Sequence, residues 1–599
     1  MSDDKYPPIA DYALLSDCHC CALVSKQGSV DWCCMPCFDD DSSFCRLLDW
    51  DKGGHCSIAP DGPCTAERRY VDGTMILETH FRTEQGEVRL TDFLAMDTPE
   101  SPHYDLVRIV DGIAGEVDMQ VQVCPRFDYG EIFPRMLRQG DKLYTAIGSN
   151  QGLLIRSDMP LEVDGHADLR GRFSLRAGQR LRLAVQFAFP ELIDRAITED
   201  GIRGDELDRS LERTRDCWIE WGKRMTRPCP VDEHTIRSTI VLKALTFEPT
   251  GAIIAAPTTS LPEWIGGGRN WDYRFSWVRD SVFTVRALHV LGHDTEADRF
   301  HRFIQRSAAG DADQMQIMYG VDGNRRLTEI ELDWLEGYRG SRPVRIGNAA
   351  AKQVQLDIFG ELLEMAWQWH CNGHRTEPND WEFLADVVEN VCHRWEEADH
   401  GIWEVRGEPH HYVHSKAMCW AALNRGVQLA EANGLEAPLE HWRAVRDEVR
   451  SAIESQGYDA GKGVFVRSFG SRELDAALLL LPRVDFVRYD DPRMLRTAEA
   501  ICGDLDRDGL LLRYREPDGI DGPEGMFLPC TFWLAACLAR QGKRDLAQAY
   551  YDRCISCSNE LALFSEEYDM VSRQMLGNFP QGLTHVSQIM AWLALQGIE

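Results

Sequence analysis

Residues 401–416 read GIWEVRGEPHHYVHSK and set one carboxylate, Glu404, between Trp403 and the cations Arg406, His410, His411, His414 and Lys416. An apolar wall pushes an acid towards its protonated form, and neighbouring cations pull it back. A carboxyl group under both influences, on a loop leading into an apolar helix, has the character of a proton-handling site. Three other stretches, 251–277, 311–351 and 561–581, are long and rich in Trp, Arg, Asp, Glu and Gly. Connections of that length in a compact domain are functional or disordered, and the aromatics argue against disorder. Indoles interleaved with paired charges suit a sugar: the ring covers its C–H face, while carboxylates and guanidinium groups bond its hydroxyls. Each piece alone has a plainer reading. Glu404 is one of 96 acidic residues, Arg279–Asp280 reads as an ion pair at a helix start, and Glu566–Glu567 reads as a solvated charge run. The glycines at 266–268 read as a turn, since no strand precedes them and no Lys-Ser/Thr follows.

The elements that carry these loops follow from hydrophobic periodicity. Over 1–190 the period is two. Val117, Met119, Val121 and Val123 alternate with polar residues, as do Leu181, Leu183, Val185, Phe187 and Phe189, and turns fall at Gln27–Gly28 and Gln85–Gly86. This predicts an antiparallel β-sandwich with one polar face. Leu207, Leu211, Thr214, Trp218 and Trp221 fall at helical spacing before Pro228-Cys229-Pro230, so 191–230 is expected to be a helical linker bracing two domains. From 231 to 599 the pattern predicts about twelve helices, near 232–247, 279–291, 294–308, 352–370, 379–398, 414–432, 438–456, 472–481, 492–505, 526–541, 543–559 and 580–597. Several are apolar on more than one face, as in 418–423 and 532–538, which requires burial on both sides. Twelve helices in an inner and an outer ring make an all-α (α/α)6 barrel.

At 599 residues the chain exceeds a single core, and its 44% hydrophobic and 27% charged composition is that of a globular protein. A net charge of −31 disfavours nucleic acid and anionic membrane as partners and leaves homo-oligomer formation open. The acidic N-terminus and the lack of a long apolar run lead us to expect a cytoplasmic protein. Nine of the 20 cysteines precede residue 65. Cys18, His19, Cys20, Cys34 and Cys37 invite a zinc reading. The adjacent pairs Cys20–Cys21 and Cys33–Cys34 argue against it, because neighbours on a strand face opposite ways. The expectation is therefore no metal and no cofactor, with cysteine serving as a small buried hydrophobe.

Four segments, taken together, resemble one family. SLPEWIGGGRNWDYRFSWVRDS at 260–281, LEGYRGSRPVRIGNAAAKQVQLD at 335–357, GIWEVRGEPHHYVHSK at 401–416 and FSEEYDMVSRQMLGNFPQGLTHV at 564–586 are similar, in order, to signature loops of glycoside hydrolase family 15. The opening ADYALLSDCHCCALVSKQGSVDWCCMPCFDD resembles the N-terminal sandwich of its bacterial, trehalase-like branch. The resemblance implies that Glu404 is the general acid and Glu566 the general base, with Glu567 its rival. It also implies that Arg279 and Asp280 grip the non-reducing glucose, and that Trp271, Trp277, Arg345 and Trp403 belong to the substrate pocket. His414 and Lys416 are expected near the site. Cys37 departs from the family pattern, which has Arg there, in a loop expected to approach the pocket. The implied chemistry is inverting, exo-acting hydrolysis of a small-molecule or oligosaccharide α-glucoside, with two carboxyls flanking the bond and a water between them. α,α-Trehalase is the first expectation, and a glucoamylase-like enzyme acting on maltose, isomaltose or longer α-glucans is the alternative. A disaccharide phosphorylase would not need Glu566, and a non-catalytic sugar-binding protein would need neither carboxylate.

Overall fold

The computed structural model of the chain describes residues 5–96, 105–198, 204–226, 231–308, 312–376, 378–516, 519 and 522–598. The expected helix stop at Pro228-Cys229-Pro230 lies outside them. Among the described residues fifteen antiparallel strands lie in the N-terminal part, and the 20-residue strand Asp105–Cys124 joins two layers. Its first half pairs with Gly86–Leu94 and Arg180–Phe187, and its second half with His55–Pro60 and Asp168–Arg176. Between the two halves stands Gly115, at φ 66°, where an added β-carbon would strike the Gln85 carbonyl oxygen. The layers share one apolar core that includes Leu14, Leu23, Phe81, Leu90, Val110 and Leu183.

The expected polar face is missing from Tyr12–Ser16, Cys21–Ser25 and Ser29–Cys34, whose residues are buried on both sides. The helical part covers their outer face. The Trp32 indole donates to the Pro257 carbonyl at 2.7 Å, and Ser16 Oγ donates to that of Ala244 at 2.7 Å. This double burial accounts for the cysteine density, since both faces of the adjacent pairs call for small apolar side chains. Burial pushes the thiols of Cys20, Cys21 and Cys33 well up, so they are uncharged packing groups.

Helix Gly204–Gly222 buries Leu207, Thr214, Trp218 and Trp221. Asp208 bonds the guanidinium groups of Arg180 and Arg182 on the sandwich, while the Trp221 indole donates to Glu296 at 2.7 Å and stacks on His293.

Among the described residues, eleven α-helices and the long 3-10 helix Ala476–Val484 follow from residue 233 onwards, with three shorter 3-10 turns in the connecting loops. The 3-10 helix takes the place expected for a helix at 472–481, with Pro482 inside it. Every second element belongs to a closed inner ring: Val278–Val290, Asp357–Cys371, Val413–Asn433, Ala476–Val484, Leu528–Arg540 and Gly582–Gln596 pack in that order, and the last returns to the first. Inner helices are buried all round, as in the unbroken run 412–423. Outer helices such as Leu439–Gln456 bury one stripe, here Trp442, Val445, Val449 and Ile453, whereas Glu233–Ala244, bonded to the sandwich through Arg237 and the Ala244 carbonyl, is buried nearly all round. The architecture is an (α/α)6 barrel. Its topology places the chemistry. Inner-to-outer connections such as 291–293 and 541–543 are short, whereas all the long ones run outer-to-inner and gather at the N-terminal ends of the inner helices. Among the described residues no helix is long and apolar enough to cross a membrane.

Candidate active site

The outer-to-inner loops enclose a pocket with about 750 Å³ of empty space. Seven of the eight residues singled out from the sequence line it: Trp271, Trp277, Arg279, Asp280, Trp403, Glu404 and Glu566. Arg345 stands a layer further back. Its Nη1 donates to the carbonyls of Gly268 and Asn270, and its guanidinium lies 4.6 Å from the Trp271 ring centre. The backbone around Trp271 thus occupies Nη1, while Nη2 bonds Glu331 at 3.3 Å.

Glu404 adopts φ 56°, in the left-handed region where a β-carbon is crowded. Several bonds hold it there. Arg279 Nη1 donates to the Ile402 carbonyl at 2.9 Å, and Gln353 Nε2 donates to that of Glu404 at 3.2 Å. The Trp277 indole N–H donates to Glu404 Oε1 at 2.5 Å, and Arg279 Nη2 lies 3.8 Å from the same oxygen. Burial pushes the Glu404 carboxyl up, against the pull of Arg279 and the Trp277 bond and with help from Asp280. Of the cations crowded around Glu404 in the sequence, only Arg406 lines the pocket. Lys416 Nζ donates to the Trp395 carbonyl at 2.5 Å and also to that of Glu397. His411 stacks on Phe469, and His414 is buried with both ring nitrogens unbonded. Trp403 is fixed by Asp475, which accepts from its indole at 2.9 Å, and by stacking on Trp533.

Glu566 approaches from the loop before the last inner helix. Tyr273 donates its hydroxyl to Glu566 Oε1 at 2.8 Å. Burial first, and Glu263 second, push the carboxyl up to about 8, while Arg513 and Tyr273 pull it down. Glu567 points the other way along its strand, where its Oε2 accepts from the Gly525 amide at 2.8 Å, and it does not line the pocket. Asp569 is engaged in the turn after that strand, accepting from the amides of Val571 and Ser572.

Sequence reasoning missed Glu263, Tyr273, Arg513 and Phe527, all of which line the pocket. Arg513 Nη2 donates to Glu263 at 3.1 Å and to Glu524 at 2.8 Å, and lies 3.5 Å from Glu567. Arg513, Glu524 and Phe527 come from 506–527, an outer-to-inner connection whose RYRE has the same mix of aromatic and paired charge as the four loops that were noticed. Cys37, expected to approach the pocket, does not line it. Its amide donates to Asp40 within its own turn.

A family model described as Glycosyl hydrolases family 15 matches residues 231–593, and one described as Trehalase-like, N-terminal matches residues 1–166. The chain is 38% identical to a trehalase of Mycolicibacterium smegmatis, covering 98% of this chain and 91% of that protein. It is 33% identical to a trehalase of Thermoplasma volcanium, covering 98% and 93%. Among solved structures, a bacterial glucoamylase complexed with acarbose superimposes with a TM-score of 0.74 over 99% of this chain and 95% of its own, at 12% identity. That likeness concerns the fold.

Proposed function

The chain belongs to glycosyl hydrolase family 15, and from that premise we propose that it is an α,α-trehalase whose general acid is Glu404 and whose general base is Glu566. The observation that carries the reading is the near-full-length similarity to trehalases, through sandwich and barrel alike, together with one half-buried and one buried carboxyl in one pocket. Glu404 donates its proton to the glycosidic oxygen. Glu566 takes a proton from a water that attacks the anomeric carbon from the opposite face, which inverts that centre. The two groups need opposite protonation states. Desolvation favours the neutral form of Glu404, as an acid requires. A raised pKa also makes Glu566 a stronger acceptor once ionised, which suits a base drawing a proton from water. Asp280, held by Arg279 Nε at 3.0 Å, offers its remaining acceptor positions to the hydroxyls of the bound glucose, and Trp403 offers a ring face.

A glucan-directed enzyme is the competing reading, and the glucoamylase superposition supports only a shared fold. The test is kcat/KM on trehalose, maltose, isomaltose and kojibiose. The proposal expects trehalose to lead by at least about 1.4 kcal/mol in transition-state binding, a tenfold preference. Maltose or isomaltose in the lead would replace trehalase with the glucan reading. Glucose 1-phosphate formed only with added phosphate would indicate a phosphorylase.

A further inference from the structure

At the opposite end of the barrel, where the inner helices finish, a second cavity with about 570 Å³ of empty space is lined by Arg286, Arg483 and Arg540 beside Phe283, Tyr489 and Trp533. Three cations converging in a chain of net charge −31 call for a reason. Buried or half-buried guanidinium groups are ordinarily paired with acids. Here Arg286 has no hydrogen bond or ion pair among the described residues, and its Nη1 is buried without an acceptor. Among the described residues Arg540 has only the Tyr489 ring, 5.5 Å from its guanidinium. The Arg483 side chain is 10% exposed; its Nη2 bonds Glu361, while its Nε and Nη1 are buried without partners. The other nearby acid, Glu364, is taken by Arg425 at 2.7 Å.

Helix C-termini favour cations, which explains a basic residue in a last turn. It does not explain donors that no carbonyl or carboxylate accepts. Burial and the neighbouring Arg483 guanidinium pull Arg286 below its ordinary range, as expected for like charges left facing one another. An oxyanion with several acceptor oxygens and more than one negative charge would satisfy these donors and cancel their repulsion. Apart from Ser587, whose hydroxyl accepts from the Trp533 indole, and Cys537, the rest of the lining, including Leu479, Leu480 and Met590, is apolar, and no carboxylate lies among it.

We propose that this cavity binds a phosphate group, free or as the head of a small ester, through Arg286, Arg483 and Arg540. The test is calorimetric titration of the full chain with inorganic phosphate and with glucose 6-phosphate, at ionic strength held constant with chloride. Saturable one-to-one binding is expected, weakened at least about tenfold in Arg286→Met and in Arg540→Gln, since a charge-assisted pair is removed in each. Each variant is to keep the parent's circular dichroism; Arg540→Gln serves if Arg286→Met does not fold. Tighter binding of the ester assigns the site to a phosphate ester, and equal or tighter binding of inorganic phosphate assigns it to the free anion. Absence of saturable binding in both arms, or unchanged affinity in a folded variant, overturns the proposal.

Discussion

At the scale of single residues, the pocket sets two carboxyls under different neighbours. Glu404 meets an indole N–H and Arg279, whereas Glu566 meets Tyr273, Arg513, Glu263 and, more distantly, Asp280. On the proposed roles, Glu404→Gln and Glu566→Gln each lower kcat by about 10²–10⁴-fold, with unchanged thermal unfolding, in a steady-state assay. Glu567→Gln is the control. Its carboxylate serves the Gly525 amide and Arg513, so a comparable loss in kcat there would move the base assignment. Glu263 supplies a finer test. Its negative charge helps hold Glu566 up, so Glu263→Gln lowers the pH at which Glu566 ionises. The acid limb of kcat/KM, which requires ionised base, moves to lower pH, while the alkaline limb, set by loss of the Glu404 proton, changes less. A limb that stays in place or moves upward contradicts the coupling.

At the scale of elements, the loops were legible where chemistry and local pattern coincide and illegible where the fold separates sequence neighbours. The cluster around Glu404 reads as five cations facing one acid. Once Val413–Asn433 winds into a helix, Lys416 turns to the carbonyls of Trp395 and Glu397, and His411 goes to Phe469. Conversely, Arg513 and Glu263 lie about 250 residues apart, and no local signal pairs them. The strands were legible in period, but their polar face was not. Burial of the outer face of Ser29–Cys34 depends on where the barrel docks, which strand periodicity does not encode. That docking supports the loops. Trp32 bonds Pro257, Arg274 Nη1 reaches the Asp40 carbonyl at 2.9 Å, and Tyr338 donates to that of Pro7 at 2.7 Å. Trp32→Phe leaves the Pro257 carbonyl with only the weak Cys21 thiol donor, 3.8 Å away, and should cost about 1–3 kcal/mol in urea unfolding. An unchanged midpoint would mean that the bond contributes nothing to the clamp.

At the scale of the whole molecule, alternation of inner and outer helices sends every long loop to one end of the barrel, where the sandwich packs against several of them and supports the pocket. Among the described residues the opposite end holds short turns, the arginine-lined cavity and the docking of helix Gly204–Gly222 through Trp221. This division of labour follows from connectivity, and it explains why carboxylates scattered from Glu263 to Glu566 converge. The most direct test of the account is proton NMR of the glucose anomers released from α,α-trehalose before mutarotation. Inversion at the attacked carbon, with the leaving glucose keeping its own configuration, predicts one β-glucose and one α-glucose per turnover. Two α-glucose molecules per turnover, or no turnover of trehalose, would contradict it.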